Sequence, residues 1–181
     1  MRLLDEGGMQ ALSIRSVAGA LGVAPASLYS RVESADDLFD LALDHAMKLD
    51  PIMEVAVVSA SLEDLMVAYY RHLVRHSWAV RVIAMRAPRG PHYVRVSDRM
   101  VVLLIEAGAR DPLGTAYVVA NYIIGSATTA SMARSERDLG VEPTLAPAYA
   151  RLRELDPVDP EAIMRAGLDV LLAALPARPR T

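Results

Sequence analysis

No cysteine occurs among the 181 residues, so neither a disulfide framework nor a thiolate metal site can be built from this chain. Lysine occurs once, as Lys48, and every other basic side chain except the histidines is arginine, a bias that carries no mechanistic weight. Alternating apolar and polar runs joined by hairpin turns are missing, which leaves an all-α fold. Internal repeats and low-complexity segments are missing too. No charged-then-apolar leader opens the chain, because Met1-Arg2-Leu3-Leu4-Asp5-Glu6 turns acidic at once; a cytoplasmic location is expected rather than export. No GxSxG, Walker loop, cysteine nucleophile or paired-carboxylate constellation stands out, so neither an enzyme nor a cofactor is expected.

What is present is a strongly apolar chain, with a mean hydropathy of +0.25. Its length suits one mid-sized domain, or a head of about 50 residues on a larger body. Between Asp111 and Arg134 there is no charge at all, a run that must be weighed as a membrane span. Thr115, Asn121, Ser126, Thr128, Thr129 and Ser131 within it favour a helix buried against protein, such as a subunit interface.

Helix starts are legible from caps. Ser13 precedes a first short helix, and Ser34-Ala35-Asp36-Asp37 opens another through about Leu49, ended by Pro51. Ser61-Leu62-Glu63-Asp64 opens one to about His76, with a short helix near Trp78 to Arg86 after it. Pro88-Arg89-Gly90-Pro91 is the clearest break. A helix from about His92 to Glu106 follows, then Asp111-Pro112 starts the uncharged helix, closing near Leu139-Gly140. A loop spans Glu142 to Pro147. Asp159-Pro160-Glu161 begins a last helix to about Leu175, with Ile163, Gly167, Val170, Leu171 and Ala174 as its apolar stripe; residues from Pro176 onward read as a frayed tail.

The segment from Leu12 to Tyr29 reads as two short helices joined by a tight glycine turn. Val17 and Leu21 lie four apart on the first helix, Leu28 and Val32 four apart on the second, so two apolar stripes can pack together. Gly22 sits where the chain must reverse and a positive φ is favoured. Pro25 fits the first turn of the next helix, where its missing N–H costs nothing. With Leu28 and Val32 inward, helical spacing puts Pro25, Ala26, Ser27, Tyr29, Ser30 and Arg31 on the outer faces. The serines suit base edges or phosphate. Tyr29, its ring packed and its hydroxyl outward, suits a thymine methyl or phosphate, and Arg31 suits phosphate or guanine. Arg15 is the strongest single candidate for a base or phosphate contact, while Ser13 is first a cap and second a phosphate contact. Such helix pairs also occur where no nucleic acid is bound.

Leu12-Ser13-Ile14-Arg15-x-Val17-Ala18, Leu21-Gly22-Val23, Leu28-Tyr29, Val32 and Leu38 together resemble the DNA-binding head of the TetR family of transcriptional repressors. Arg75-His76-Ser77-Trp78, Pro88-Arg89-Gly90-Pro91, Glu106-Ala107-Gly108 and the uncharged helix with Gly125 resemble the C-terminal domain of its tetracycline-repressor branch. The resemblance implies a helix-turn-helix head over residues 1–50 and a ligand-binding, dimerising body over 51–181. It implies a homodimer on a palindromic operator in double-stranded DNA, released by a small-molecule effector and inserted in no membrane. The uncharged and last helices of both subunits would form a four-helix bundle, with Val118, Ile124, Ile163, Gly167, Val170 and Leu171 at the interface.

Candidates for a ligand cavity are Tyr69, Leu73, Trp78, Met85, Met100, Leu103, Leu104, Tyr117, Asn121 and Tyr122, which spread apolar walls with few polar groups over several helices. Core packing is the competing reading of each. Asn121, an amide in an apolar helix, calls for a partner in a ligand, water or another subunit. His72 and His76 are spaced to share a metal ion, but no third ligand lies near and no metal site is expected. Ile83 and Arg86 stand where the likeness places that branch's metal-coordinating histidine and a threonine, so tetracycline is not the expected effector. Arg86, Arg89 and Arg99 make an anionic one conceivable.

Three features depart from the family. Residues 1–50 hold four basic side chains (Arg2, Arg15, Arg31, Lys48) against eight acidic ones (Asp5, Glu6, Glu33, Asp36, Asp37, Asp40, Asp44, Asp50), a net charge of −4, whereas DNA readers present a basic face. Ala35 replaces a phosphate-holding lysine, and the chain opens inside what resembles the first helix. They support an alternative, a helical small-molecule-binding dimer with weak or lost DNA contact.

Overall fold

Short polar side chains set where most helices begin, because an N-terminal turn leaves amide N–H groups that a Ser or Asp oxygen can satisfy. The computed structural model describes residues 1–30, 32–85, 87–88, 90–133, 140–155 and 159–174. Among these there is no strand. Helix α1 runs Arg2–Gly7, α2 Ile14–Leu21, α3 Ala35–Leu49, α4 Pro51–Ser59, α5 Leu62–Arg75 and α6 Ala79–Met85. Then come α7 Pro91–Glu106, α8 Pro112–Thr129, α9 Pro147–Leu155 and α10 Pro160–Ala173, with single 3-10 turns at Met9–Ala11 and Pro25–Ser27.

Ser13, Ser34, Asp50, Ser61, Asp111 and Asp159 cap α2, α3, α4, α5, α8 and α10 with their own side chains. Helix α5 is the centre of the packing and lies against α4, α7, α8 and α10. Its Leu65, Met66 and Leu73 are fully enclosed, as are Met53, Leu104, Ile123, Met164 and Leu168 from its neighbours and Leu43 of α3. Each such side chain contributes roughly 1.5–3 kcal/mol. One continuous core extends from Leu4 and Leu12 to Leu168.

Several expectations need correction. Pro51 does not simply end α3; it is the first residue of α4, with Asp50 capping through the N–H groups of Ile52 and Met53. Pro147, expected as the end of a loop, is the first residue of α9. Helix α8 closes at Thr129, well before Leu139, which lies outside the described residues with Arg31, Arg86, Arg89, Leu175 and the tail. The second motif element is one 3-10 turn, Pro25–Ser27, not an α-helix. A segment this short cannot recover the cost of α-helix nucleation, and i→i+3 bonding closes it instead. Leu21 is 62% exposed; α2 turns Ala18 inward, flanked by half-buried Ile14 and Val17.

Candidate DNA-reading face and ligand cavity

The turn at Gly22 is built from backbone bonds. Gly22 has φ 67° and ψ 29°, its N–H donates to Gly19 O at 3.2 Å, and the Val23 N–H donates to Ala18 O at 3.0 Å. This is the Schellman closure that a left-handed residue permits. Beyond it, Ser27 N–H reaches Ala24 O at 2.9 Å and Leu28 N–H reaches Pro25 O at 3.1 Å. Val32 is buried and Leu28 half-buried, which turns the remaining side chains outward. Ser13, Arg15, Pro25, Ala26, Ser27, Tyr29 and Ser30 are all exposed. Tyr29 is 62% exposed, so its ring stands in solvent and is not packed. Ser13 accepts from Ser16 N–H at 3.0 Å as a cap, and Ser30 Oγ donates to Ser27 O at 3.0 Å.

Three of the eight acidic side chains of residues 1–50 are spent on histidines of later segments. Asp5 Oδ1 lies 2.7 Å from His76 Nδ1 and accepts from Trp78 Nε1 at 2.7 Å. Asp44 Oδ2 lies 2.8 Å from His92 Nδ1, and Asp50 Oδ2 lies 2.8 Å from His72 Nδ1 and 2.9 Å from an Arg75 nitrogen. Asp37 accepts the Glu33 and Ser34 N–H groups. Burial alone would raise Asp5 and Asp50, but the bonds from His76 and Trp78, and from His72 and Met53, outweigh it and hold both carboxyls low. The charge that seemed to oppose DNA therefore ties three histidines of the later helices to the first fifty residues.

A cavity of about 370 Å³ opens between α6, α7 and α8, lined by Ile83, Ala87, Pro88, Tyr93, Val94, Ser97, Met100, Val101, Leu113, Ala116, Tyr117, Ala120, Asn121 and Ile124. Its wall is mainly apolar, with hydroxyls from Tyr93, Ser97 and Tyr117, the Asn121 amide, and no charged side chain among the described residues. Of the sequence candidates, only Met100, Tyr117 and Asn121 meet here. Tyr69 lies behind the wall, its hydroxyl 3.1 Å from that of Tyr93 and the two rings edge to face. Burial pushes both phenols above their ordinary range, so both stay protonated.

The other candidates serve elsewhere. Leu73 and Leu104 are core, and Leu103 packs against it. Trp78 is buried, bonded to Asp5, and borders a separate, more polar groove of about 640 Å³ beside Gly8 and Met9. Met85 is exposed. Tyr122 donates toward the carbonyls of Ile163 and Met164 at 3.3 and 3.1 Å, holding α10 on α8. Tyr93 and Ser97 were missed, although with Met100 and Val101 they repeat at the helical spacing that marks one face.

Helix α8 buries Ala116, Val119, Ile123 and Ala127 and leaves Leu113, Tyr117 and Val118 open. Asn121 is exposed. On α10, Ile163 and Val170 are open, Val170 at 71%, and Leu171 is half-buried. Ile124 and Gly167 have neighbours within the chain. Ile124 faces the cavity, and Gly167 lies beneath Tyr122, whose hydroxyl would collide with any Cβ there. His72 and His76 each face a carboxylate, with ring centroids 4.9 Å apart; among the described residues no group of three metal-ligating side chains forms.

Comparison with known proteins matches residues 58–178 to the family described as Tetracyclin repressor-like, C-terminal domain. An HTH-type transcriptional regulator of Saccharopolyspora erythraea is 32% identical over 162 residues, covering 86% of this chain and 67% of its own length. The chain belongs to the TetR family. This TetR-family regulator is also 28% identical over 137 residues to the transcriptional repressor DrrR1 of Streptomyces coeruleorubidus, covering 70% of this chain and 49% of that protein. It thus spans two thirds of one relative and half of the other. Its fold matches a possible TetR family regulator from Streptomyces coelicolor at TM-score 0.79, with 25% identity over 95% of this chain and 92% of that one. It also matches ActR from the same organism, solved in complex with actinorhodin, at TM-score 0.72 and 22% identity over 95% and 90%. Among the described residues, no helix of this TetR-family chain is long and apolar enough to cross a membrane.

Proposed function

We propose that the chain is a ligand-responsive regulator that binds a palindromic operator as a homodimer and is released by a small-molecule effector, with residues 1–50 as the DNA-reading head and 51–181 as the body. The observation that carries this is a capped helix, a Schellman turn and an exposed row from Arg15 to Ser30, built on the same core as an apolar cavity. The DrrR1 likeness supports repression as the sign. ActR with its bound actinorhodin supports reading the body as a ligand carrier. The cavity's hydroxyls and amide suit a largely apolar effector with a few hydrogen-bonding groups.

The test is selection of fragments from sheared genomic DNA by the purified protein, followed by footprinting. Protection of two half-sites about one helical turn apart is expected. Arg15→Ala should weaken operator binding by about tenfold at physiological salt; unchanged affinity would remove Arg15 from the interface. The alternative, a ligand-binding dimer with weak DNA contact, draws on the single 3-10 turn at Pro25–Ser27. Failure to retain any fragment selects it.

A further inference from the structure

Helix α7 starts differently from the helices that cap themselves. Its N-cap position is Gly90, which has no side chain to offer. The cap comes from Asp44, midway along α3. One carboxylate oxygen accepts the His92 N–H at 2.7 Å and the Tyr93 N–H at 3.2 Å, and the other lies 2.8 Å from His92 Nδ1. A Cβ at Gly90 would fall on the Asp44 side chain, so the glycine is the space into which this carboxylate reaches. Amide dipoles at a helix start favour such an anion, and charge-assisted bonds of this kind are among the stronger ones.

Each end of the contact leads to a site. Tyr93, whose amide Asp44 holds, lines the cavity together with Ser97 and Met100 further along α7. In the other direction only Glu33 and Ser34 separate Val32 of the motif from α3. Both of their N–H groups are held by Asp37 in the first turn of α3, at 2.8 and 3.0 Å. Helix α3 is therefore joined to the motif without slack; of the two cavity-lining helices that pack on α3, α6 and α7, the first turn of α7 is the one that an α3 carboxylate caps.

We infer that the Asp44 cap is the contact through which occupancy of the cavity reaches the DNA-reading motif. A ligand that displaces Tyr93 must either carry α3 with it or break the cap, and capped and uncapped α7 are the two states between which it selects. This rests on the cavity being the ligand site.

Hydrogen exchange of the full chain, with and without N-phenyl-1-naphthylamine as a neutral apolar probe, tests it. In the wild type the probe should change exchange in the first turn of α7 and in α3 by about fivefold or more. In Asp44→Ala, where α7 is already uncapped, the probe should still bind and still alter α7, while α3 no longer responds. Gly90→Ala, which retains the carboxylate but pushes it aside, should give the same separation and guards against a fault peculiar to the first variant. An α3 response that persists in both variants, or is missing from the wild type while α7 responds, overturns the inference. Ala120→Trp fills the cavity. If the probe binds that variant as well as the wild type, or never binds the wild type, the cavity reading itself fails and takes the inference with it.

Discussion

Asp50 carries more bonds than its place between two helices would require. It caps α4 through Ile52 and Met53 and also holds His72 and Arg75 of α5, with its side chain 3% exposed. Removing the carboxylate leaves the buried His72 ring N–H and the first turn of α4 without their acceptor, at roughly 1–3 kcal/mol. Asp50→Ala should therefore lower the unfolding free energy by about that much, read from urea denaturation followed by circular dichroism. His72 is completely enclosed, and its Nε2 has no partner among the described residues. Protonation would place a second N–H there without an acceptor, and burial accordingly pushes the imidazole below its ordinary value of 6.5 despite the Asp50 carboxylate. The unfolded chain then takes the proton first, so stability is full above about pH 6.5 and falls as pH drops below it. Asp50, Asp5 and Glu161, all held low, act in the same direction further down. Urea midpoints at about pH 7.5 and 5.5 should show the decline. His72→Asn keeps a donor toward Asp50 and should flatten it. None of this was visible beforehand, since spacing alone offered His72 and His76 only a shared metal ion, which was not expected.

The turn after α2 and the seat of α10 depend on glycines for different reasons. At Gly22 an added Cβ meets nothing within 4 Å, so the cost of Gly22→Ala is conformational only, about 1–2 kcal/mol for a left-handed residue. Thermal unfolding should show a loss of this size, with helix content retained. Gly167 is the opposite case: its φ is ordinary, but Tyr122 occupies the space of a side chain. Gly167→Leu should part α10 from α8, at a cost on the order of 1–3 kcal/mol from overpacking. The starts of α2, α3, α5, α8 and α10 were legible because a cap is local, involving residues within one turn of each other. Helix α4 was missed although Asp50-Pro51 carries the same signal as Asp111-Pro112. The start of α7 at Pro91 was nearly right, yet its cap from Asp44 was invisible because 48 residues separate Asp44 from His92.

At the scale of the whole molecule, α8 and α10 lie side by side and leave Leu113, Tyr117, Val118, Ile163 and Val170 open. Apolar faces of this kind mark association surfaces. Val118→Asp with Val170→Asp should convert a dimer to monomers in sedimentation velocity while leaving the helical spectrum unchanged; a dimer that persists would place the contact elsewhere. Composition, caps and hydrophobic period were enough to establish an all-helical chain and the glycine turn with its outward row, because each depends on neighbours in sequence. Packing alone decided that Leu73, Leu104 and Trp78 belong to the interior and that Tyr93 and Ser97 line the cavity. It also decided that Asp5, Asp44 and Asp50 of the first fifty residues meet histidines. Helical period gives the residues that share a face, but which face meets which is set by contacts between segments far apart in the chain.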